Sequence, residues 1–456
     1  MTDRRAALIV ASAAAFMTPF MSASVTIALP EIGAELSLDA VSLGWVASSY
    51  LLAAAAFLLP FGRLADIVGR KKIFALGLLL HTIASLLVAA SPAGWFLIAM
   101  RAVQGMGGAM IFGTAIAMLV SVYPPEERGR VLGINVAAVY VGLSAGPFGG
   151  GMLTHYFGWR SLFLVVAGLG AICLVLVWRY LGSDWAEARG ERFEFTGSAI
   201  YIVSLTALML GFSNLPGTAG MLLLAAGLAG LAAFLWREAG TAHPILDVSL
   251  FRGNIVFAFS NLAALINYSA NFAVSFLLSL YLQYIGGLDP QRAGLVLIAQ
   301  PLVMATLSPV AGWMSDRINP RIVASAGMAI SVAGLALCAT IGNGTPLLFI
   351  TLTLALHGLG FALFSSPNTN AIMGSVERRQ YSVASATLGT MRLTGQMFSM
   401  AIVLLIFNSR IGKVKITPEL YPQFLAGMRS AFIVFTVLSV IGVFASLARG
   451  RGAAAH

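Results

Sequence analysis

Long, uninterrupted hydrophobic segments dominate the chain, and short polar segments separate them. A helix needs roughly 20 mainly apolar residues to cross a bilayer, and fourteen segments approach or exceed that length. They lie near 7–29, 42–62, 73–91, 95–122, 130–153, 159–181, 196–213, 217–236, 254–284, 291–314, 321–341, 346–373, 382–408 and 426–447. Because the apolar positions are continuous and do not alternate with polar ones, the pattern predicts membrane-spanning helices and disfavours a transmembrane β-barrel.

The polar segments divide the fourteen spans into groups of six, two and six. Segment 184–194 is the most charged stretch of the chain and follows the sixth span, and segment 237–253 follows the eighth. We therefore predict an all-α membrane protein with two six-helix bundles and two inserted helices. The predicted units are an N-terminal bundle at 1–183, a linker with two extra transmembrane helices at 184–252, and a C-terminal bundle at 253–456.

Composition and charge agree with this interpretation and add an orientation. Of the 456 residues, 59% are hydrophobic and only 10% are charged, against about 25% charged in soluble domains. A soluble enzyme is excluded because such a chain would expose large apolar patches. With the fourteen spans in place, 19 of the 27 Lys and Arg residues fall on the side that holds both termini. Basic loops face the cytoplasm, so we predict a cell (inner) membrane protein with both termini cytoplasmic.

Two polar turns carry the same motif at equivalent places in the two groups of six spans. The turn after the second span reads Gly-x-x-x-Asp from Gly62, the turn after the tenth repeats this spacing from Gly312, and a basic residue closes each. An internal repeat of six-span halves is an organisation that transporters use. We interpret both turns as latches that hold one conformation and open in another. The predicted latch residues are Gly62, Asp66, Gly69, Arg70, Gly312, Asp316, Arg317 and Arg321.

The fifth span combines a proline with closely spaced glycines. Proline breaks the hydrogen-bond ladder of a helix and kinks it, and glycines let a second helix approach closely. We predict a hinge or a sealed interface between the two halves, and ordinary tight packing is the alternative. The residues concerned are Gly142, Gly146, Pro147, Gly150 and Gly151.

These motifs resemble those of the major facilitator superfamily. The Gly62 turn is similar to the family's signature loop between its second and third helices, and Arg101, Gln104 and Gly105 resemble its fourth-helix arginine motif. The glycines from Gly142 onward look like the motif of its antiporters, and six, two and six spans resemble its fourteen-helix drug:proton antiporter branch. The resemblance implies a secondary active transporter, not an enzyme. It also implies proton-linked export of small amphiphilic compounds by alternating access, as in multidrug efflux.

One departure from that branch affects the expected substrate. The branch usually carries an aspartate about nine residues before an Ala-Leu-Pro in the first helix, and here the equivalent position is Met21. All 17 acidic residues lie in loops or near helix ends by these span boundaries, whereas a buried carboxylate commonly carries a coupled proton or pairs with a cationic drug. The alternatives are therefore an exporter of neutral or anionic amphiphiles, lipids or metabolites with atypical or no proton coupling, an importer or uniporter, and a non-transporting sensor or scaffold.

Polar side chains within the spans supply the candidate binding residues, because such groups face a cavity or another helix. Arg101 and Arg392 lie within spans, at a cost of at least about 2.5–3.5 kcal/mol each; the alternative for both is that they cap carbonyls at helix kinks. The predicted substrate-binding residues are Met21, Ser24, Arg101, Gln104, Asn135, Asn267, Asn271, Gln300, Arg392 and Gln396. The candidate proton carriers are Glu31, His81, His155 and His357, although a lone histidine in a span often serves packing.

The sequence also predicts which ligands and partners the chain uses. It contains no Gly-x-x-x-x-Gly-Lys-Ser/Thr loop for a nucleotide phosphate and no cluster of metal-ligating residues, so we expect no cofactor and no metal. The expected partners are a small amphiphilic substrate, protons and membrane lipids. We expect no nucleic-acid partner and a monomeric chain.

Overall fold

The computed structural model describes residues 3–182, 184–186, 188–241, 244–377 and 380–449. Within these residues the chain forms sixteen α-helices. They are α1 (Asp3–Glu35), α2 (Ala40–Val68), α3 (Arg70–Ala89), α4 (Gly94–Val122), α5 (Pro125–Phe157), α6 (Arg160–Tyr180), α7 (Phe195–Asn214), α8 (Thr218–Glu238), α9 (Ser249–Arg252), α10 (Ile255–Leu280), α11 (Pro290–Leu297), α12 (Ala299–Arg317), α13 (Pro320–Cys338), α14 (Leu347–Gly374), α15 (Tyr381–Arg410) and α16 (Tyr421–Leu447).

Fourteen helical segments within the described residues are long and apolar enough to cross a membrane, which confirms the predicted all-α fold with fourteen spans. Several helices extend beyond the predicted spans, and α1 has 33 residues. The tenth span is interrupted at Ile298, between α11 and α12. The interruption has a local cause, because Pro301 has no N–H to donate to the carbonyl of Leu297.

The helices pack as two groups with an inserted pair between them. Helices α1 to α6 contact one another in a first half, and α10 to α16 do so in a second half. Helices α7 and α8 pack together, and α7 also contacts α2 of the first half and α15 of the second. The predicted unit boundaries at 183 and 252 stay predictions, and Ser183 lies outside the described residues.

The polar turns define two ends of the helical bundle. We call the end with Gly69 and Asn319 the basic end, and the end with Asp39 and Asp289 the opposite end. Helix α1 starts and α16 finishes at the basic end, as an even number of spans requires. Three basic residues counted for the orientation lie outside the described residues: Arg378, Arg379 and Arg451. Which end faces the cytoplasm stays a prediction.

Glycines bring α5 into backbone contact with α1. A Cβ at Gly142 would collide with the carbonyl oxygen of Phe16, and one at Gly150 would lie 2.6 Å from the Cβ of Ser24. The Ser24 hydroxyl donates a hydrogen bond of 3.0 Å to the carbonyl of Gly146. This glycine face therefore serves packing within the first half over most of its length.

Replacing one of these glycines should loosen the first half. We expect Gly142→Ala to lower the free energy of unfolding by about 1–3 kcal/mol, because the added methyl group must push α1 away. The matched control is Gly133→Ala in the same helix, where a Cβ would meet nothing within 4 Å; we expect at most about 1 kcal/mol there, in the stabilising direction. Thermal unfolding in detergent measures both, and equal melting temperatures would contradict the prediction.

Candidate functional site

A cavity of about 200 Å³ lies between the two halves. Helices α1, α2, α4 and α5 of the first half line it, together with α10, α11, α12, α14 and α15 of the second. Its described lining contains one guanidinium, that of Arg392, and no Asp, Glu or His. Aromatic rings make up much of the wall: Tyr50, Phe112, Tyr140, Tyr268, Phe272 and Phe361.

Arg392 stands at the meeting of the two halves. Its guanidinium carbon lies 4.9 Å from the ring centroid of Phe112 in α4, and 5.9 Å from that of Tyr268 in α10. Both rings are within the range of a cation–π attraction. Among the described residues no group accepts a hydrogen bond from this guanidinium, so its N–H groups are available to a ligand in the cavity.

Three amide side chains share the lining with this arginine: Asn271, Gln300 and Gln396. The Asn271 amide nitrogen donates to the backbone and side-chain oxygens of Asn267, at 2.6 and 3.1 Å. Asn271 Oδ1 and Gln300 Oε1 are buried and have no hydrogen-bond partner among the described residues. The structure thus brings four of the ten predicted substrate-binding residues together in one cavity.

The other six predicted binding residues lie outside the lining. Met21 and Ser24 are buried in helix packing. The Asn135 amide donates to the carbonyl of Ala11 at 3.1 Å, and the oxygen atoms of Asn267 accept the Asn271 amide. Their contacts are with protein groups, and their predicted part in substrate binding is untested.

Arg101 and Gln104 are the remaining two, and they form a buried network inside the first half. Arg101 Nε donates to the carbonyl of Val46 at 3.1 Å, and its Nη1 donates to Gln104 Oε1. The Gln104 amide donates in turn to the hydroxyl of Ser85 at 2.7 Å. The Arg101 guanidinium carbon also lies 4.6 Å from the ring centroid of Tyr50. These contacts support the alternative of a guanidinium that satisfies a backbone carbonyl.

None of the four candidate proton carriers belongs to the described cavity lining. Glu31 lies at the opposite end, where its Oε1 accepts a hydrogen bond of 3.4 Å from the Trp159 backbone. His155 is exposed near that end. His81 and His357 are buried, in α3 and α14. A role for these residues in proton coupling stays a prediction.

The end of the glycine face seals the two halves against each other. A Cβ at Gly151 would lie 2.5 Å from the carbonyl oxygen of Pro290, and one at Gly294 would collide with the carbonyl oxygen of Pro147. Helices α5 and α11 therefore touch through their backbones at the opposite end. The contact joins the two halves, and the predicted roles of these residues as a sealed interface or a hinge stay predictions.

Hydrogen bonds between α1 and α10 reinforce this seal. The Ser279 hydroxyl donates to the carbonyl of Thr26 at 2.8 Å, and the Gln283 amide donates to the carbonyl of Ile27 at 2.9 Å. Both bonds join the first half to the second. The opposite end is accordingly the closed end of the cavity in this structure.

The first latch turn joins three helices of the first half. Asp66 Oδ1 accepts from Arg70 Nη2 at 2.8 Å and from its Nε at 3.0 Å. Arg70 Nη1 donates to the hydroxyl of Ser121 in α4 at 2.8 Å. This pair therefore ties α2 and α3 to α4.

The second latch turn has a different environment. Asp316 and Arg317 are exposed, and the Arg317 guanidinium carbon lies 4.2 Å from the ring centroid of Trp313. Asn319 caps α13 by accepting a hydrogen bond of 3.0 Å from the Arg321 backbone. The charged pair of the first copy is thus largely enclosed, with Arg70 buried and Asp66 half-buried, whereas Asp316 and Arg317 of the second copy are exposed.

The linker after α6 packs onto the first latch turn, a contact that the sequence did not indicate. Asp184 Oδ1 accepts from the backbone N–H of Lys71 at 3.1 Å, and the carbonyl of Trp185 accepts from that of Arg70 at 2.8 Å. Gly69 makes room for this contact, because its Cβ would lie 2.5 Å from the carboxyl carbon of Asp184. Its φ of 128° also favours glycine.

A substitution at this glycine should strain the turn and displace the linker. We expect Gly69→Ala to lower the free energy of unfolding by about 1–3 kcal/mol through its positive φ and the crowding of the Asp184 carboxylate. Gly62→Ala is the matched control in the same motif, since a Cβ there would meet nothing within 4 Å. Thermal melts of both variants provide the test, and an unchanged melting temperature for Gly69→Ala would disprove the requirement for glycine.

The two intramembrane arginines should respond differently to the same substitution. We expect Arg101→Gln to lower the free energy of unfolding by about 1.5–3 kcal/mol, because it removes charge-assisted hydrogen bonds from a buried network. Arg392→Gln should cost no more than about 1 kcal/mol, since its described contacts are with aromatic rings. Thermal unfolding compares the two variants, and a larger loss for Arg392→Gln would contradict the assignment.

The aromatic wall is the part of the cavity that sequence analysis missed. None of the lining rings was among the predicted binding residues, because aromatic side chains are equally common facing lipid or the interior of a span. A weak signal was present at Tyr268, which lies three residues before Asn271 and therefore on the same helix face. Only the packing of both halves shows which rings meet.

Two six-span halves that enclose a cavity lined from both sides define a polytopic membrane transporter. The chain belongs to the major facilitator superfamily: the family described as Major Facilitator Superfamily matches residues 11–235 and 261–454. This match confirms the resemblance drawn from the motifs. The chain is a multi-pass membrane transporter and not an enzyme.

Relatives and a solved structure agree with this assignment. The chain is 31% identical over 391 residues to the riboflavin transporter RibZ of Clostridioides difficile (strain 630), which covers 84% of each chain. It is 34% identical over 415 residues to the cephamycin export protein CmcT of Amycolatopsis lactamdurans, covering 88% of this chain and 85% of the relative. A bacterial homologue of the human lysosomal transporter Spinster, solved inward-facing and unoccupied, has a TM-score of 0.69 at 15% identity, over 98% of this chain and 97% of its own. That last likeness shows the fold alone.

Proposed function

We propose that the protein exports small amphiphilic compounds, neutral or anionic, by alternating access, with its basic end in the cytoplasm. One observation carries the substrate class: the cavity combines an aromatic wall with the Arg392 guanidinium, and its described lining holds no carboxylate. An amphiphile can place its rings on this wall. A permanent organic cation would meet a like charge with no counter-ion beside it.

Alternating access is supported by the contacts that join the halves. The opposite end is closed through α1 with α10 and through α5 with α11, and the cavity lies between the halves behind that seal. Beside the cavity, the Ser308 hydroxyl of α12 lies 3.1 Å from the Tyr140 hydroxyl of α5. Access from the opposite end requires the two halves to separate there, as in the rocking of repeated halves.

The relatives bear on direction more than on substrate. CmcT is named as an export protein for cephamycin, and RibZ is named as a transporter of riboflavin. The first name indicates export, but the two proteins are named for different compounds. The Gly146-Pro147 motif in α5 also resembles that of the family's antiporters, which favours export. The substrate class therefore rests on the lining of the cavity.

Proton linkage is proposed from the family resemblance alone. The described lining offers neither a carboxylate nor a histidine, and the candidate proton carriers lie elsewhere. We therefore assign the cavity to substrate binding and place any coupled proton outside it. Transport with and without an imposed pH gradient measures this linkage directly.

Proteoliposomes provide the test of the function. We expect transport of an anionic and a neutral aromatic amphiphile above the rate of protein-free liposomes, and no such transport of tetraphenylphosphonium. The control is a Thr26→Cys, Ser279→Cys variant, in which a short bis-methanethiosulfonate should lock the seal and stop transport until it is reduced. Strong transport of the phosphonium that Arg392→Ala leaves unchanged would contradict the substrate class. Failure to transport any probe would favour a sensor or scaffold.

A further inference from the structure

We infer that Arg392 binds the acidic group of a monoanionic aromatic substrate, whose rings lie on the cavity wall and whose N–H or O–H groups meet Asn271 and Gln300. The inference deepens the proposed function and rests on it. It assigns a substrate class and three recognition residues to the cavity between the halves.

The hydrogen-bonding state of Arg392, which is half-buried, distinguishes it from the buried arginines Arg101 and Arg449. Arg101 donates to Val46 and Gln104, and Arg449 donates from Nη1 to the Ser260 hydroxyl at 3.3 Å. Arg392 lies against two rings and borders the cavity, and none of the described residues accepts a hydrogen bond from it. A guanidinium carries five N–H donors, and a ligand in the cavity that supplies acceptors can pair with those of Arg392.

The charge of the cavity indicates an anion with a single charge. One guanidinium and no carboxylate or histidine belong to the described lining, so a bound monoanion neutralises the site. The guanidinium fork matches the oxygen pairs of carboxylate, sulfonate or phosphate groups. Away from bulk water the attraction is stronger than at a surface.

Buried acceptor atoms specify the neutral part of the substrate. Asn271 and Gln300 are 5% and 6% exposed, and their side-chain oxygens have no hydrogen-bond partner among the described residues. A buried acceptor left without a donor destabilises the site, because its lost hydrogen bonds to water are not replaced. Both residues border the cavity, so a turn of either amide would present its oxygen to an N–H or O–H group of the substrate.

The position of Arg392 also connects binding with the contact between the halves. The arginine belongs to α15 of the second half, and Phe112 belongs to α4 of the first. An anion on the guanidinium therefore binds beside a contact that must change when the halves move apart. The Arg392 side chain therefore takes part both in substrate binding and in the contact between the halves.

Two fluorescent probes isolate the acidic group. 8-Anilinonaphthalene-1-sulfonate and N-phenyl-1-naphthylamine share their rings and bridging N–H, and differ by the sulfonate. In detergent, with protein-free micelles subtracted, we expect Arg392→Gln to weaken binding of the sulfonate about tenfold or more and binding of the neutral amine less than about twofold. Arg392→Lys should fall between, because lysine keeps the charge but not the fork. The control is Arg429→Gln, which makes the same charge change at an exposed arginine and should alter neither.

Each outcome decides the inference separately from the proposed function. A sulfonate affinity that Arg392→Gln leaves unchanged, or an equal loss for both probes, would overturn the anion site. That result would leave transport of neutral amphiphiles intact. A third outcome is that Arg392→Gln weakens binding of the sulfonate alone while the unaltered protein transports no probe in proteoliposomes. That pair of results would support the anion site and reject the transport function.

Discussion

The absence of water inside a bilayer is the constraint on which the rest of the structure depends. Backbone N–H and C=O groups in hydrocarbon must bond within the protein, so each span is a helix. Departures from that rule then need compensation nearby. The interruption at Ile298 follows from Pro301, and the carbonyl of Val46 receives an extra donor from Arg101. The hydrophobic effect does not drive helices together in lipid, because lipid tails are as apolar as the helices. Close packing, as between α1 and α5, holds them together instead.

The two intramembrane arginines show how environment decides the role of a residue. Both are single basic residues in apolar spans, and both lie against aromatic rings. Arg101 is enclosed in the first half, where Val46 and Gln104 accept its hydrogen bonds. Arg392 borders the cavity, where none of the described residues accepts one. The first guanidinium stabilises a helix bundle, and the second is available for recognition.

The two repeated turns also show that one sequence motif can have different surroundings in the two halves. In the first half, Asp66 and Arg70 are tied to α4, and the linker at Asp184 packs on the turn. In the second half, Asp316 and Arg317 are exposed. The inserted helices α7 and α8 follow that linker, so the insertion is connected to the first turn. Equal spacing in sequence thus produces two unequal structures.

By itself the sequence determined the helical class, the fourteen spans, the repeat and the family, because continuous hydrophobicity and turn motifs are local properties. It also indicated that Asn271, Gln300, Arg392 and Gln396 are exceptional in an apolar helix. It could not separate them from Arg101 or Asn135, since a polar residue within a span satisfies its hydrogen bonds against whichever helix lies beside it. Only the tertiary structure decided which groups are paired within a half and which face the cavity, because that depends on contacts between helices distant in sequence.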